Sequence, residues 1–105
     1  MSLRHAERQG IQEVIGSHRE EILRIAARYG ATNIRAFGSV VRGEATDESD
    51  LDLLVTWDYD RMGNWGSAGL WEELALLLGR RVDITSERGL SPFIRDEVLR
   101  EAVPL

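Results

Sequence analysis

Asp50 and Asp52 stand two residues apart in Ser49-Asp50-Leu51-Asp52-Leu53-Leu54-Val55, where leucine and valine predict a strand over 51–56. On a strand, alternate side chains share a face, so the two carboxylates point one way while Leu51 and Leu53 point the other. Two carboxylates on one face repel, and they tend to hold a proton unless a cation is near. Magnesium prefers such oxygen ligands and binds through one or two carboxylates plus phosphates and water. Taken alone, the alternation also describes a half-exposed strand with one solvated face.

The stretch before it changes that balance. Phe37-Gly38-Ser39-Val40-Val41-Arg42-Gly43 places a Gly-Ser turn after a predicted strand over 33–37 and before a short helix over 40–42. At such a turn glycine lets the backbone approach a ligand closely, while free amides and a hydroxyl hold phosphate oxygens. A phosphate-type turn followed at a short interval by paired carboxylates puts a phosphate site next to a metal site. Arg42 either touches phosphate or steadies the turn through a salt bridge.

The elements that must position these groups alternate along the chain. Ser17-His18-Arg19-Glu20 fits a capping box, with Ile22, Ile25, Ala26 and Tyr29 at helical spacing behind it and Gly30 as the stop. Glu7 to Ile15 allows a shorter preceding helix. Leu70, Trp71, Leu74, Leu77 and Leu78 form one stripe of a helix over 67–78 closed by Gly79, and a third strand is expected over 82–85. Ser91-Pro92 reads as an N-cap followed by proline, introducing Phe93, Ile94, Val98 and Ala102 at helical intervals. Residues 57–69 break the regularity, with Gly63, Gly66 and Gly69 among Trp57, Tyr59 and Trp65, and are expected to form a mobile aromatic loop. With no repeat or linker, the chain is expected to be one α/β (α+β) domain over residues 1–105, a short mixed sheet with helices packed on it in two or three layers.

Composition narrows the function. The chain has 105 residues and no cysteine, which excludes disulfides, thiolate metal sites and cysteine nucleophiles. The net charge is −5 and all 13 basic residues are scattered arginines, so no broad nucleic-acid surface is expected. No apolar run is long enough for a membrane span, and Met1 to Gly10 lacks the apolar core of a signal peptide, so a cytoplasmic location is expected. His5 and His18 have no paired ligand spacing and are read as surface residues. Trp71 is read as core with reach to an interface. Arg80-Arg81 is read as a solvated pair or an aid to phosphate binding.

Gly38-Ser39, Arg42-Gly43 and Ser49-Asp50-Leu51-Asp52-Leu53 resemble the signature of minimal nucleotidyltransferases, the MNT domains of the DNA polymerase beta-like superfamily. The resemblance runs from the helix near Ser17 to the final 95–105 segment. It implies a polymerase beta-like nucleotidyltransferase fold, with magnesium, two ions in all, on Asp50 and Asp52 and the ATP triphosphate on Gly38, Ser39 and Arg42. It also implies a third carboxylate on a later strand, and Asp83 stands at the matching place; the alternative for Asp83 is capping a turn. The implied reaction is in-line attack of an acceptor hydroxyl on the α-phosphate, with pyrophosphate leaving.

Larger members of the superfamily carry a helical domain for the acceptor, and this chain stops soon after the core. Resemblance to the short members implies a toxin–antitoxin pair, in which the MNT protein is the antitoxin and moves AMP from ATP onto a tyrosine of a HEPN ribonuclease toxin. Two alternatives stand beside it: a noncatalytic antitoxin acting by contact, and an enzyme for a small-molecule acceptor.

Overall fold

The computed structural model describes residues 8–61 and 66–105. In chain order these carry α1 (Ile11–Val14), α2 (Arg19–Arg28), β1 (Ala31–Phe37), β2 (Leu51–Trp57), α3 (Gly66–Leu78), β3 (Val82–Ser86), α4 (Arg95–Glu101) and β4 (Val103–Pro104). The strands form one mixed sheet in the order β3-β2-β1-β4. β1 runs antiparallel to both β2 and β4, and β2 runs parallel to β3 with α3 as the crossover between them. A parallel pair needs a long connection, and α3 supplies it.

β2 is central because it is apolar on both faces. Leu51, Leu53 and Val55 enter the main core with Ile22 and Ala26 of α2, Leu70 and Leu74 of α3, and Val82 and Ile84 of β3. Leu54, pointing the opposite way, joins Leu90 and Val98 in a second cluster backed by Phe37, Leu99 and Ala102. Each fully buried leucine contributes on the order of 1.5–3 kcal/mol by leaving water. The helices α2 and α3 therefore cover one face of the sheet and α4 covers part of the other. Among the described residues no helix is long and apolar enough to cross a membrane.

Several expectations are corrected. Ser17 does not cap α2: it lies in a three-residue 3-10 turn, Gly16–His18, and the cap position falls on His18, which makes no side-chain capping bond. The reaching-back bond occurs instead at the start of α1, where the Gly10 amide donates to Glu13 at 2.7 Å. Ser91-Pro92 opens a run of turns before α4, so Phe93 is left 96% exposed instead of joining the apolar stripe. There the Phe93 amide donates to the Ser91 hydroxyl at 3.3 Å, and the Arg95 amide to the Ser91 carbonyl at 3.0 Å. The short helix expected over 40–42 begins earlier, as a 3-10 turn over Gly38–Val40.

The irregular stretch expected over 57–69 is shorter at both ends. Trp57 ends β2 and Gly66 already belongs to α3, while residues 62–65 lie outside the described part. Gly69 is a helix residue with a packing role, since a Cβ there would come within 2.7 Å of the ring of Tyr29, the residue that caps the end of α2. Glycine at this point lets α2 and α3 approach. The first helix is also shorter than expected, and His5 lies outside the described residues.

Candidate active site

β1 delivers its chain into the Gly38–Val40 turn, and the same end of the sheet carries the start of β2 and of β3. The register makes Asp52 the neighbour of Phe37 on one side and of Asp83 on the other. Leu51 and Leu53, like Val82 and Ile84, point into the main core, so Asp52 and Asp83 share the opposite face. Asp50 comes just before β2, two residues from Asp52 and on the same alternation. The sheet thus brings Asp50, Asp52 and Asp83 to one end.

Gly38 adopts φ +82°, in the left-handed region that glycine alone enters freely. A Cβ built on it would overlap Asp52 Oδ2. Conformation and space both require glycine there, and the backbone of the turn lies directly against the carboxylate. Ser39, the next residue, is half-buried.

Electrostatically Asp52 is the stressed member of the group. Its pKa is raised to about 6, first by burial, then by the charges of Asp83 and Asp50, with Glu101 adding to the effect and Arg42 opposing it. Asp50 faces Arg81, whose Nη2 lies 3.5 Å from Asp50 Oδ2, although the Arg81 side chain is 87% exposed. Asp83 is exposed. Among the described residues no three His, Cys, Asp or Glu side chains are gathered into a group able to hold a metal ion.

Arg42 makes salt bridges on both sides. Its Nε donates to Glu44 at 2.8 Å and its Nη1 to Glu101 at 2.6 Å, which ties the turn to α4. Arg80 is neither solvated nor paired in role with Arg81. Its Nη1 donates to the carbonyl oxygens of Thr46 and Ser49, both at 3.0 Å, and its Nη2 to Gln9 Oε1 at 2.8 Å. The sequence signal was an arginine placed where β3 begins, beside the loop that leads into Asp50, but spacing alone did not separate it from Arg81.

Beside the carboxylates lies a groove of about 540 Å³ between α3 and β3, lined by Asp50, Trp71, Glu72, Ala75, Arg81 and Asp83 among others. Ala68, Trp71, Glu72 and Ala75 recur at helical spacing, a face of α3 adjacent to the core stripe of Leu70 and Leu74. Trp71, expected in the core, is instead 43% exposed and forms a wall of the groove.

A glycine turn pressed against clustered carboxylates, at one end of a mixed sheet, is the equipment of a phosphoryl-transfer site, where positioning and charge do most of the work. The family model for the nucleotidyltransferase domain matches residues 18–105, and the chain belongs to that family. Protein adenylyltransferase MntA of Thermococcus cleftensis is 38% identical over 94 residues, covering 89% of this chain and 90% of that protein. A solved chain described as a minimal nucleotidyltransferase is 53% identical with a TM-score of 0.76, covering 89% of this chain and 94% of that one. A chain from a mutant MntA-HpeT toxin–antitoxin crystal structure is 26% identical with a TM-score of 0.59, covering 82% of this chain and 69% of that one. The protein is thus a nucleotidyltransferase with the minimal nucleotidyltransferase fold.

Proposed function

We propose that this protein, read as one minimal domain over residues 1–105, is the antitoxin of a pair and transfers AMP from ATP to a tyrosine of a HEPN ribonuclease toxin, with magnesium. The observation that carries the reading is the crowding of Asp52, whose pKa is raised to about 6 beneath the Gly38 turn. The similarity to a protein adenylyltransferase and to a toxin–antitoxin chain supports the choice of nucleotide and of partner.

Magnesium fits the donor set by chemistry. Asp50, Asp52 and Asp83 are hard oxygen donors, and Asp52, its pKa raised first by burial and then by the charges of Asp83 and Asp50, is a carboxylate whose ionised form a cation would favour. Although they are not gathered into a cation site by themselves, these three residues would hold two ions with phosphate oxygens and water completing the shell, and the bound ions would neutralise charge on the reacting phosphate and favour the ionised acceptor oxygen. The Ser39 hydroxyl and the amides of the Gly38–Val40 turn bind the triphosphate. Arg42, committed to Glu44 and Glu101, holds that turn against α4 and offsets charge near Asp52.

The acceptor enters along the groove between α3 and β3, where Trp71 packs against its aromatic ring. Asp83 orients the acceptor hydroxyl and takes its proton. The acceptor oxygen bonds to the α-phosphorus as the bond to the α–β bridging oxygen breaks, and pyrophosphate leaves with that electron pair.

The test is incubation with α-labelled ATP and magnesium, with and without the protein encoded by the neighbouring gene, beside an Asp50→Ala, Asp52→Ala double variant. Label on the partner that disappears in the double variant and in a Tyr→Phe partner supports the proposal. Tight partner binding with no label points instead to neutralisation by contact. Label that appears only on a small molecule points to the other enzyme class.

A further inference from the structure

We infer that Arg80 is a positioning residue of the reaction centre, a clamp that sets where Asp50 stands relative to Asp83. The inference rests on the assignment of those two carboxylates to catalysis.

Arg80 is half-buried where α3 gives way to β3, three residues before Asp83. Its guanidinium grips the loop before Asp50 from both ends, through the carbonyls of Thr46 and Ser49. Those two residues are also joined to each other, since the Thr46 amide donates to the Ser49 hydroxyl at 2.8 Å and the Ser49 amide to the Thr46 carbonyl at 3.1 Å. The loop is therefore a closed turn held by one cation.

Gln9 extends the clamp. Its Oε1 accepts from Arg80, its Nε2 donates to Asp47 at 2.6 Å, and its backbone bridges to Ala45 in both directions. One residue beyond the gripped Ser49 carbonyl is Asp50, and one residue beyond Arg80 is Arg81, whose carbonyl accepts from the Leu51 amide at 2.9 Å. Arg80 thus braces the loop that delivers Asp50 to the strand pair carrying Asp83, in addition to the direct β2–β3 pairing and with no contact between its own side chain and the substrate needed. A planar guanidinium suits this task because its several donors are fixed in direction, whereas an ammonium is a single point.

Removing the clamp frees the Thr46–Ser49 turn and lets Asp50 drift, while the Gly38–Ser39 turn, on the other side of Asp52, is left as it was. The experiment compares wild type, Arg80→Gln, Arg80→Lys and Gln9→Ala by three readouts: Mn²⁺ binding to the protein alone by electron paramagnetic resonance, kcat and KM for ATP, and Tm. Groups that orient metal ligands typically change metal affinity by about 10- to 100-fold when lost. Arg80→Gln is expected to weaken Mn²⁺ binding by that order and to lower kcat similarly, with KM for ATP changed much less. Arg80→Lys should recover part of both losses, and Gln9→Ala should lose a smaller amount in the same direction.

Unchanged Mn²⁺ affinity and kcat in a folded Arg80→Gln variant would overturn the inference, even if its Tm falls. If that variant does not fold, unchanged values in both Arg80→Lys and Gln9→Ala overturn it equally. An inactive wild type, or an active Asp50→Ala, Asp52→Ala variant, would instead remove the underlying assignment of the carboxylates.

Discussion

Gly38 lies against Asp52 so closely that the turn has no room for a β-carbon, and the carboxylate it confines is the one whose pKa is pushed up to about 6. The relationship joins the two halves of the site. The glycine turn is what removes water from one side of Asp52, and burial is the largest cause of its shift.

Gly38→Ala is therefore expected to damage both folding and activity. The left-handed backbone costs a non-glycine residue about 1–2 kcal/mol, and the overlap with Asp52 adds to it. For a domain of this size each kcal/mol lowers Tm by roughly 4–8 °C. Calorimetry should show a drop of at least that order, and labelled ATP should give little or no transfer. A variant with wild-type Tm and activity would show that the turn relaxes without consequence.

Asp52 sets a pH dependence whose sign is opposite to that of a salt-bridged carboxylate. The folded state holds the Asp52 proton up to about pH 6, while the unfolded chain releases it near the ordinary value of 3.8. Between those values the folded state binds more protons, so the contribution of Asp52 to stability falls as pH rises through that window and is flat above it. Asp52→Asn is expected to raise Tm at pH 8 in metal-free buffer, to change it little at pH 4, and to abolish transfer. Equal Tm shifts at the two pH values would mean that ionisation of Asp52 carries no strain.

Trp71 allows acceptor and nucleotide sites to be separated. It is half-exposed on the groove wall and away from the Gly38 turn, so Trp71→Ala should weaken acceptor binding alone. An aromatic contact is worth about 0.5–1.5 kcal/mol beyond area, or roughly 2- to 12-fold in affinity. Steady-state kinetics with the partner should show KM for the acceptor raised by that order and KM for ATP unchanged. The reverse pattern would place the nucleotide base in the groove.

The parts of this molecule that were legible in the sequence are those with a repeating physical cause. Asp50-Leu51-Asp52-Leu53 alternates acid with leucine and runs on into Leu54 and Val55, so both the strand and the face of Asp50 and Asp52 could be read. The α3 stripe gave the crossover helix. Where one residue had to choose between partners, the pattern was silent. Ser17 and Glu20 have the spacing of a cap, but the 3-10 turn of Gly16–His18 moves the cap, and with it the helix start, one residue later. The final strand, Val103–Pro104, is too short to show a period, yet it pairs with Arg35 and Ala36 of β1, and proline is tolerated because β4 is an edge strand. Arg80 and Arg81 are adjacent and alike in type, yet one is a clamp and the other is exposed near Asp50. That distinction depends on the path of a loop more than thirty residues away.

Leu54 offers a way to perturb the acidic face from beneath without touching a charge. It is fully buried, follows Asp52 on the same face of β2, and is held by Leu90 and Val98 in the cluster that seats α4. Leu54→Ala removes most of that contact and leaves a cavity, costing about 2–5 kcal/mol. Because Glu101 of α4 holds Arg42 at 2.6 Å, loosening α4 should also free the Gly38–Val40 turn. We expect a large fall in Tm together with a rise in KM for ATP measured well below the new Tm. A Leu54→Ala variant with lower Tm but unchanged KM would show that α4 stabilises the fold without holding the phosphate turn in place.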